Sequence, residues 1–275
     1  MIEPVQYRKK LEGKSNAHLI TFSDGRDYVV KYFQPGFEKA LPNEWVAYGL
    51  ARFLGLPVPY AKIVEIPADF SAQIPELNHL NISKHQFASL YVPACFDGHQ
   101  VSTVPAITNH KTLAGIILLD YWLCNRDRTR KNILLCDESP GSYKLWMIDQ
   151  AEIFNSYNWQ IPELEALPDG ILKSATHQLM ARFIKEEEDF YHYLELIQTT
   201  PILLMEELFA LIPDDWQMNQ EEQTNICELI ARGRSLILAR TPRLLRSIAQ
   251  GKLRGIDHQL QLGTGCSWNE ANDAK

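Results

Sequence analysis

The chain has 275 residues, of which 45% are hydrophobic and 22% charged, and this composition is typical of a folded protein with a sizeable core. The formal net charge of −7 argues against a broad nucleic-acid-binding face, because such a face needs a basic surplus to neutralise phosphates. No apolar run reaches the roughly 18 residues that a membrane span requires, and the first residues lack the basic-then-apolar order of a signal peptide.

The first ninety residues predict several strands and one helix. The strand-like runs 17–22 and 27–33 flank a turn at 23–25, which indicates an antiparallel hairpin. A helical pattern covers 42–54, with proline at its start and glycine just past its end, as helices favour. Further strands are expected at 61–66 and 87–92, and an irregular polar segment at 69–85.

The remaining chain predicts mostly helices. An apolar helix at 111–124 leads into a polar loop, and two short strands at 133–135 and 145–148 form a hairpin. Helical patterns follow at 175–197, 203–211 and 221–250, with a kink at Pro242. The fold class is therefore α+β with two lobes: a small β-rich N-terminal lobe with one key helix at 1–92, a hinge at 93–97, and a larger, mostly helical C-terminal lobe at 98–275.

The five cysteines are scattered along the sequence, and no two have CxxC spacing. This pattern indicates neither a zinc site nor a disulfide framework. We therefore expect a reduced, cytoplasmic protein.

The polar loop after the apolar helix carries the most informative motif. Asp127 is followed five residues later by Asn132, at a junction of helix, loop and strand. This arrangement suits phosphoryl transfer, in which an Asp acts on the acceptor hydroxyl and an Asn helps to hold Mg²⁺. Basic residues that could stabilise a transferring phosphoryl group surround them: Arg126, Arg128, Arg130 and Lys131. Taken alone, the motif also describes an ordinary polar surface loop.

A second carboxylate is predicted to lie beside this loop. Asp149 ends a short strand seventeen residues after Asn132, and the hairpin between them would bring the two side chains together. Two oxygen ligands at adjacent strand ends suit Mg²⁺. Alone, Asp149 could equally cap a turn.

The N-terminal lobe supplies a third pair of candidates. Lys31 lies near the end of an apolar strand, and Glu44 lies in the first turn of the helix that follows. A strand lysine held by a helix glutamate, reaching the nucleotide phosphates, is the kinase arrangement. Each residue has a simpler explanation, as a half-exposed lysine and as an acid favoured at a helix N-terminus. The joint pattern favours function.

A turn near the N-terminus could cover phosphates with backbone N–H groups. It contains Gly13, Lys14 and Ser15, which look like the end of a P-loop. That motif needs a glycine where Arg8 stands, so a Walker-type NTPase is rejected. The turn remains a candidate single-glycine phosphate loop.

Read in order, these residues resemble the HipA-like kinase domains of bacteria, within the wider protein-kinase-like and phosphoinositide-kinase-like fold. The resemblance is densest at 27–32, 42–59 and 118–132, with 148–149. It implies an ATP- and Mg²⁺-dependent phosphotransferase. By position it implies these roles: Lys31 binds phosphate, Glu44 anchors Lys31, Asp127 acts on the acceptor, Asn132 and Asp149 hold metal, and the backbone at Leu90 to Val92 meets adenine.

The sequence departs from related kinases in a few places. Gln150 and Ala151 stand where ordinary protein kinases carry Phe-Gly, and Thr129 stands where many relatives carry histidine. The expected reaction is transfer of the γ-phosphoryl group to a hydroxyl, with Ser or Thr of a protein as the expected acceptor and no nucleic-acid partner. Two alternatives stay open: a phosphoinositide-type lipid kinase, against which the net charge of −7 argues, and a pseudokinase or adaptor that binds nucleotide without catalysis.

Overall fold

The structure is a computed structural model that describes residues 2–13, 15–77, 80, 83–167, 174–256 and 266–267. Its N-terminal lobe contains five strands: β1 (Pro4–Lys10), β2 (Ala17–Phe22), β3 (Asp27–Lys31), β4 (Ala61–Glu65) and β5 (His85–Leu90). They form one antiparallel sheet in the order β1-β2-β3-β5-β4. The predicted hairpin is confirmed, because β2 pairs with β3 and Lys31 faces Ala17. Gly25, in the turn, has φ +75°, a conformation that glycine adopts without cost.

The helix predicted after this hairpin is confirmed as α1 (Ala40–Phe53). Pro42 lies in its first turn, where the missing N–H costs no helical hydrogen bond, and Gly55 follows its end with φ +68°. Polar side chains are buried on α1 as well as apolar ones, namely Asn43 and Glu44. Such groups need partners inside the protein. The segment predicted to be irregular contains a short helix, α2 (Ala68–Ala72).

The rest of the described chain forms the C-terminal lobe. Its elements are β6 (Cys95–Asp97), β7 (Thr103–Val104), β8 (Ala106–Ile107), α3 (Leu113–Trp122), β9 (Ile133–Ser139), β10 (Ser142–Met147), α4 (Ile161–Glu165), α5 (Ala175–Phe183), α6 (Glu188–Gln198), α7 (Ile202–Ala210), α8 (Gln220–Ile256) and β11 (Cys266–Ser267). Strands β6, β9, β10 and β8 form a sheet in that order, and β11 pairs with β7. The helix predicted over 175–197 is two helices, α5 and α6, and α8 continues past Pro242.

Helix α3 is the centre of the core. Every one of its residues is buried, because it is apolar on all sides and packs against α5, α6 and α8. Asp120 is its single charged residue and is only 1% exposed. A carboxylate in such a position is stable only with strong partners. Among the described residues, no helix is both long enough and apolar enough to cross a membrane.

One prediction from the cysteines is wrong. Cys95 and Cys136 form a disulfide, with 41 residues of separation in the sequence. They are facing residues on the paired strands β6 and β9, which brings their Cα atoms to 4.1 Å. Strand pairing between distant segments sets this proximity, so the spacing of cysteines in the sequence carries no sign of it. The expectation of a reducing compartment loses its basis in the cysteine pattern.

Candidate active site

A cavity of about 610 Å³ is lined by residues from both lobes. The lobes contribute the loop between β1 and β2, strands β3 and β5, helix α1, and the segments around residues 127–132 and 148–152. The predicted site residues that line it are Gly13, Ser15, Lys31, Glu44, Leu90, Val92, Asp127, Asn132 and Asp149. A volume of this size is ordinary for a small-molecule or cofactor site.

Lys31 links the two lobes at the bottom of this cavity. Its Nζ donates hydrogen bonds to Oε1 of Glu44 and, at 2.8 Å, to Oδ1 of Asp149. The side chains of Lys31 and Glu44 are 11% and 4% exposed, whereas that of Asp149 is 32% exposed. The sequence predicted the pair of Lys31 with Glu44. The direct contact of Lys31 with Asp149 joins the third predicted residue to it.

Lys31 and the two carboxylates around it shift one another's pKa values. Burial by itself would lower the pKa of Lys31, but Asp149 and Glu44 outweigh burial and raise that pKa above its ordinary value. Burial raises the pKa of Glu44, although Lys31 opposes this effect. The pKa of Asp149 is lowered, because Lys31 outweighs the burial that would raise it. Asp149 is therefore the carboxylate in this group that stays ionised most readily.

The hairpin of β9 and β10 places Asp149 beside the polar loop, as predicted. Ile133 faces Met147, and the N–H of Ile148 donates to the carbonyl of Asn132 at 3.1 Å. Asp149 itself has φ +57°, a left-handed conformation that Asp tolerates better than most residues. Such a conformation is uncommon outside turns and functional sites.

Asp127 and Asn132 interact directly. The Nδ2 group of Asn132 donates to the backbone carbonyl of Asp127 and, at 2.9 Å, to its Oδ2. Both partners are acceptors, so the amide orientation is fixed chemically and the Oδ1 atom of Asn132 is the one available to a cation. Asp127 is half-buried and also receives the N–H of Thr129 on its carbonyl, at 2.7 Å.

Arg128, expected among the cations near a phosphoryl group, has a different place. It is 1% exposed and donates through Nε and Nη2 to Asp120, at 2.8 and 2.9 Å. It also donates to the carbonyls of Asn132 and Ile148, at 2.9 and 2.8 Å, and to Oε1 of Gln150, at 2.5 Å. One guanidinium therefore joins α3, the Asp127 loop and the segment after β10 that carries Asp149.

Two further side chains complete this buried network. The Nε2 atom of His177, on α5, lies 2.8 Å from Oδ2 of Asp120. Ser174, which caps α5, donates to the carbonyl of Arg128 at 2.6 Å. Arg128 outweighs burial and lowers the pKa of Asp120 to about 2. Ionic and neutral hydrogen bonds to buried side chains thus fix the position of the loop that contains Asp127.

Asn43 fastens α1 to the segment that follows Asp149. Its Nδ2 donates to the carbonyls of Ala151, Ile153 and Ser156, at 2.7, 3.3 and 3.0 Å. Its Oδ1 accepts from Nε1 of Trp159 at 3.0 Å. The residue next to Glu44 is therefore bound to the C-terminal lobe.

The remaining predicted residues lie at the two sides of the cavity. Gly13 has φ +137° and lies with Ser15 in the loop between β1 and β2, whereas Lys14 lies outside the described residues. On the other side, the N–H of Leu90 donates to Tyr60 at 2.7 Å. Within the described part of the chain, the backbone of Val92 makes no hydrogen bond, so both of its groups are available to a ligand.

Sequence reasoning missed four of the residues that build the site: Asn43, Asp120, Arg128 in its buried role, and Gln150. One signal could have found Asp120. A single carboxylate in an otherwise apolar helix has to be paired, and the nearest basic residues along the chain are those of the Asp127 loop. The part played by Asn43 has no such signal, because asparagine near a helix start is common.

The fold and the site define the class of this protein: it has the two-lobed architecture of protein kinases, with a strand lysine and a helix glutamate in contact beside the cavity. The sequence matches the HipA-like kinase family over residues 3–243. The chain therefore belongs to this family of kinase-type proteins. No curated protein sequence matches it significantly.

Solved structures agree on the fold. The chain is similar to the proinflammatory kinase CtkA of Helicobacter pylori, with a TM-score of 0.59 and 15% identity, over 91% of this chain and 97% of that one. Weaker likenesses include the Golgi casein kinase (TM-score 0.47, 12% identity, 86% and 73% coverage) and HipA of Shewanella oneidensis (0.41, 12%, 91% and 73%). At such identities the likeness concerns the fold alone.

Proposed function

We propose that this protein transfers the γ-phosphoryl group of ATP to a hydroxyl, with Ser or Thr of a protein as the acceptor. One observation carries the proposal: Lys31, Glu44, Asp127, Asn132 and Asp149 all line a single cavity and contact one another in two groups. Five residues of the types that phosphoryl transfer requires, supplied by both lobes, are difficult to explain by structural needs alone.

In this proposal the lobes divide at residues 93–97, the segment that follows β5 and includes β6, and ATP lies in the cavity between them. The backbone of Val92 and of Leu90 meets the adenine edge. Gly13 and Ser15 approach the phosphates from the loop between β1 and β2, and Lys31 donates to phosphate oxygens while Glu44 keeps it in place.

The donor set fits Mg²⁺ bound together with nucleotide phosphates. Asp149 and Oδ1 of Asn132 offer two oxygen ligands, and among the described residues no group of three or more His, Cys, Asp or Glu could hold a metal. Mg²⁺ commonly binds through one or two carboxylates and the substrate phosphates. When bound, it neutralises the charge of the phosphates.

Asp127 is assigned the acceptor side of the reaction. Its carboxylate, oriented by the amide of Asn132, receives the hydroxyl proton of the acceptor. The acceptor oxygen forms a bond to the γ-phosphorus as the bond from that phosphorus to the β,γ-bridging oxygen breaks, and ADP leaves.

The test uses the purified chain with Mg²⁺ and ATP labelled at the γ-phosphate. We expect label on the protein or on added acceptor proteins, lost in Asp127→Ala and kept in Asp137→Ala, a matched change at an exposed position of β9. Equal label with Asp127→Ala, or none with either protein, would reject catalysis and leave the nucleotide-binding adaptor. Label only on phosphoinositide vesicles would instead favour a lipid kinase.

Nucleotide and metal binding are measured separately by thermal shift. Mg²⁺ with ATP should raise the melting temperature of the parent, and the shift should shrink strongly for Asp149→Ala. If Asp149→Ala binds Mg²⁺ and ATP as tightly as the parent, the metal role of Asp149 is wrong.

A further inference from the structure

The basic residues beside Asp127 differ in their burial. Arg128 is buried and pairs with Asp120, whereas Arg126 and Lys131 are exposed and Arg130 is half-buried. Lys131 lines the cavity together with Asp127. Arg126 and Lys131 therefore flank Asp127 in the sequence, and both are exposed to solvent.

A second segment extends this group of cations. Gly98, just after β6, donates its N–H to the carbonyl of Arg130 at 2.8 Å. A Cβ atom on Gly98 would lie 2.7 Å from that carbonyl oxygen, so glycine is what permits the close approach. Nη2 of Arg130 lies 3.0 Å from Nδ1 of His99, and His99 lines the cavity. The turn after β6 thus packs against the loop that carries Asp127 and is hydrogen-bonded to it.

The contact with Arg130 fixes which nitrogen of the His99 ring carries the proton. A guanidinium can only donate, so Nδ1 of His99 accepts and the ring proton lies on Nε2. Burial and the charge of Arg130 both lower the pKa of His99, although Asp97 opposes them, and the ring is neutral at neutral pH. His99, Arg126, Arg130 and Lys131 together are called the basic edge below.

Described carboxylates do not neutralise the charges of Arg126 and Lys131. In the described part of the chain, neither Arg126 nor Lys131 has a carboxylate within ion-pair distance, whereas Lys31 on the nucleotide side has two. Asp97, the acid next to the turn, uses its Oδ1 to accept the N–H groups of His99 and Gln100, at 2.7 and 3.1 Å. The other unassigned carboxylates of the cavity, Glu12 and Glu152, lie on other segments.

We propose that the basic edge binds carboxylates that flank the acceptor hydroxyl, so that the preferred acceptor is a Ser or Thr within an acidic protein segment. This inference rests on the proposed function and names its substrate class. An extended acidic peptide fits better than a single compact headgroup, because Arg126 and Lys131 lie on both sides of Asp127 along the loop. Complementary charge then selects the acceptor and accelerates its encounter with the enzyme.

Binding is tested without catalysis. Two fluorescein-labelled peptides of equal length carry a central Ser flanked on both sides by Glu or by Lys, and their Kd is measured by fluorescence anisotropy with Mg²⁺ and ADP present. We expect the acidic peptide to bind about tenfold more tightly or better. Lys131→Glu and, independently, Arg126→Glu should remove most of this preference.

Lys185→Glu is the matched control, because Lys185 is exposed, does not line the cavity and gives the same change in net charge. It should leave the ratio of the two Kd values unchanged. Equal binding of the two peptides by the parent would overturn the proposal. An unchanged ratio in both Lys131→Glu and Arg126→Glu would overturn it as well, as would binding to phosphoinositide vesicles in place of the acidic peptide.

The failure of this inference and that of the proposed function give different results. If the acidic peptide binds selectively but no acceptor is ever labelled, the kinase reaction is rejected and the basic edge stands as a binding site. If both peptides are labelled and bound equally, the kinase reaction stands and the acidic preference is rejected.

Discussion

Arg128 is buried against Asp120, with Nε 2.8 Å from Oδ2 and Nη2 2.9 Å from Oδ1. The pair lies directly beneath the loop that carries Asp127, and its guanidinium also holds the strand end that precedes Asp149. The side chain of Arg128 therefore holds both the loop that carries Asp127 and the segment that carries Asp149.

Replacing Arg128 by Met should lower the free energy of unfolding by about 3–5 kcal/mol, because Asp120 would be left as a buried charge without its partner. Arg128→Lys keeps the charge but loses the fork of hydrogen bonds, so it should recover only part of this loss. Urea unfolding measures both. Arg52→Met, at an exposed position, is the control and should change stability by no more than about 0.5 kcal/mol. An effect of Arg128→Met as small as that of the control would contradict the structural role.

Asp120 also predicts how stability depends on pH. Its pKa is lowered to about 2, mainly because Arg128 outweighs burial, whereas an ordinary Asp titrates near 3.8. The ionised group therefore contributes stability above pH 4, and this contribution of about 2 kcal/mol is lost as the pH falls from about 4 to about 2. Unfolding measured across this range should show the loss in the parent. Asp120→Asn should be less stable at neutral pH but flatter in this window, and parallel profiles would refute the assignment.

Lys31 should be needed for stability as well as for nucleotide binding. Lys31→Met leaves Glu44 buried without a cation, so we expect a loss of about 3 kcal/mol in the free energy of unfolding. The double variant Lys31→Met with Glu44→Gln should recover part of that loss, since the unpaired charge is then gone. Lys84→Met breaks a surface pair with Glu65 and should cost less than about 1 kcal/mol. Additive effects of the two buried changes would contradict the pairing.

The disulfide between Cys95 and Cys136 should stabilise the fold. It closes a loop across a separation of 41 residues, so its loss in Cys95→Ser should cost about 2–4 kcal/mol through the greater freedom of the unfolded chain. Dithiothreitol should lower the melting temperature of the parent to that of Cys95→Ser and leave the variant unchanged. Cys227→Ser, which changes a free and half-buried thiol, serves as the control. A parent that melts at the same temperature with and without dithiothreitol would argue against the bond.

Much of this architecture can be predicted from the sequence, because it depends on neighbouring residues. The hairpin around Gly25 has its turn and its two strands within about fifteen residues, and α1 has a proline near its start and a glycine after its end. The contact of Lys31 with Glu44 spans thirteen residues, which leaves the chain few other ways to place them. Asp149 follows from the hairpin of β9 and β10.

Other features depend on which distant segments meet, and residue type alone does not fix that. An arginine in a polar loop is equally suited to solvent, phosphate or a buried carboxylate. Arg128 takes the third place because Asp120 on α3 lies within hydrogen-bond distance of it. The bond between Cys95 and Cys136 requires β6 to pair with β9, and β6 is a strand of only three residues that the sequence pattern does not predict. The sequence pattern likewise does not predict the break between α5 and α6, which both pack on α3.

Asn43 ties α1 to the C-terminal lobe. Its amide donates to the carbonyls of Ala151, Ile153 and Ser156, and Trp45 adds a further bond to the carbonyl of Leu208, at 2.9 Å. Lys31, by contrast, belongs to the sheet and meets Glu44 from there. If α1 keeps these bonds, any displacement of the sheet away from the C-terminal lobe must break the contact of Lys31 with Glu44. The ion pair is therefore a direct measure of how close the sheet and the C-terminal lobe lie.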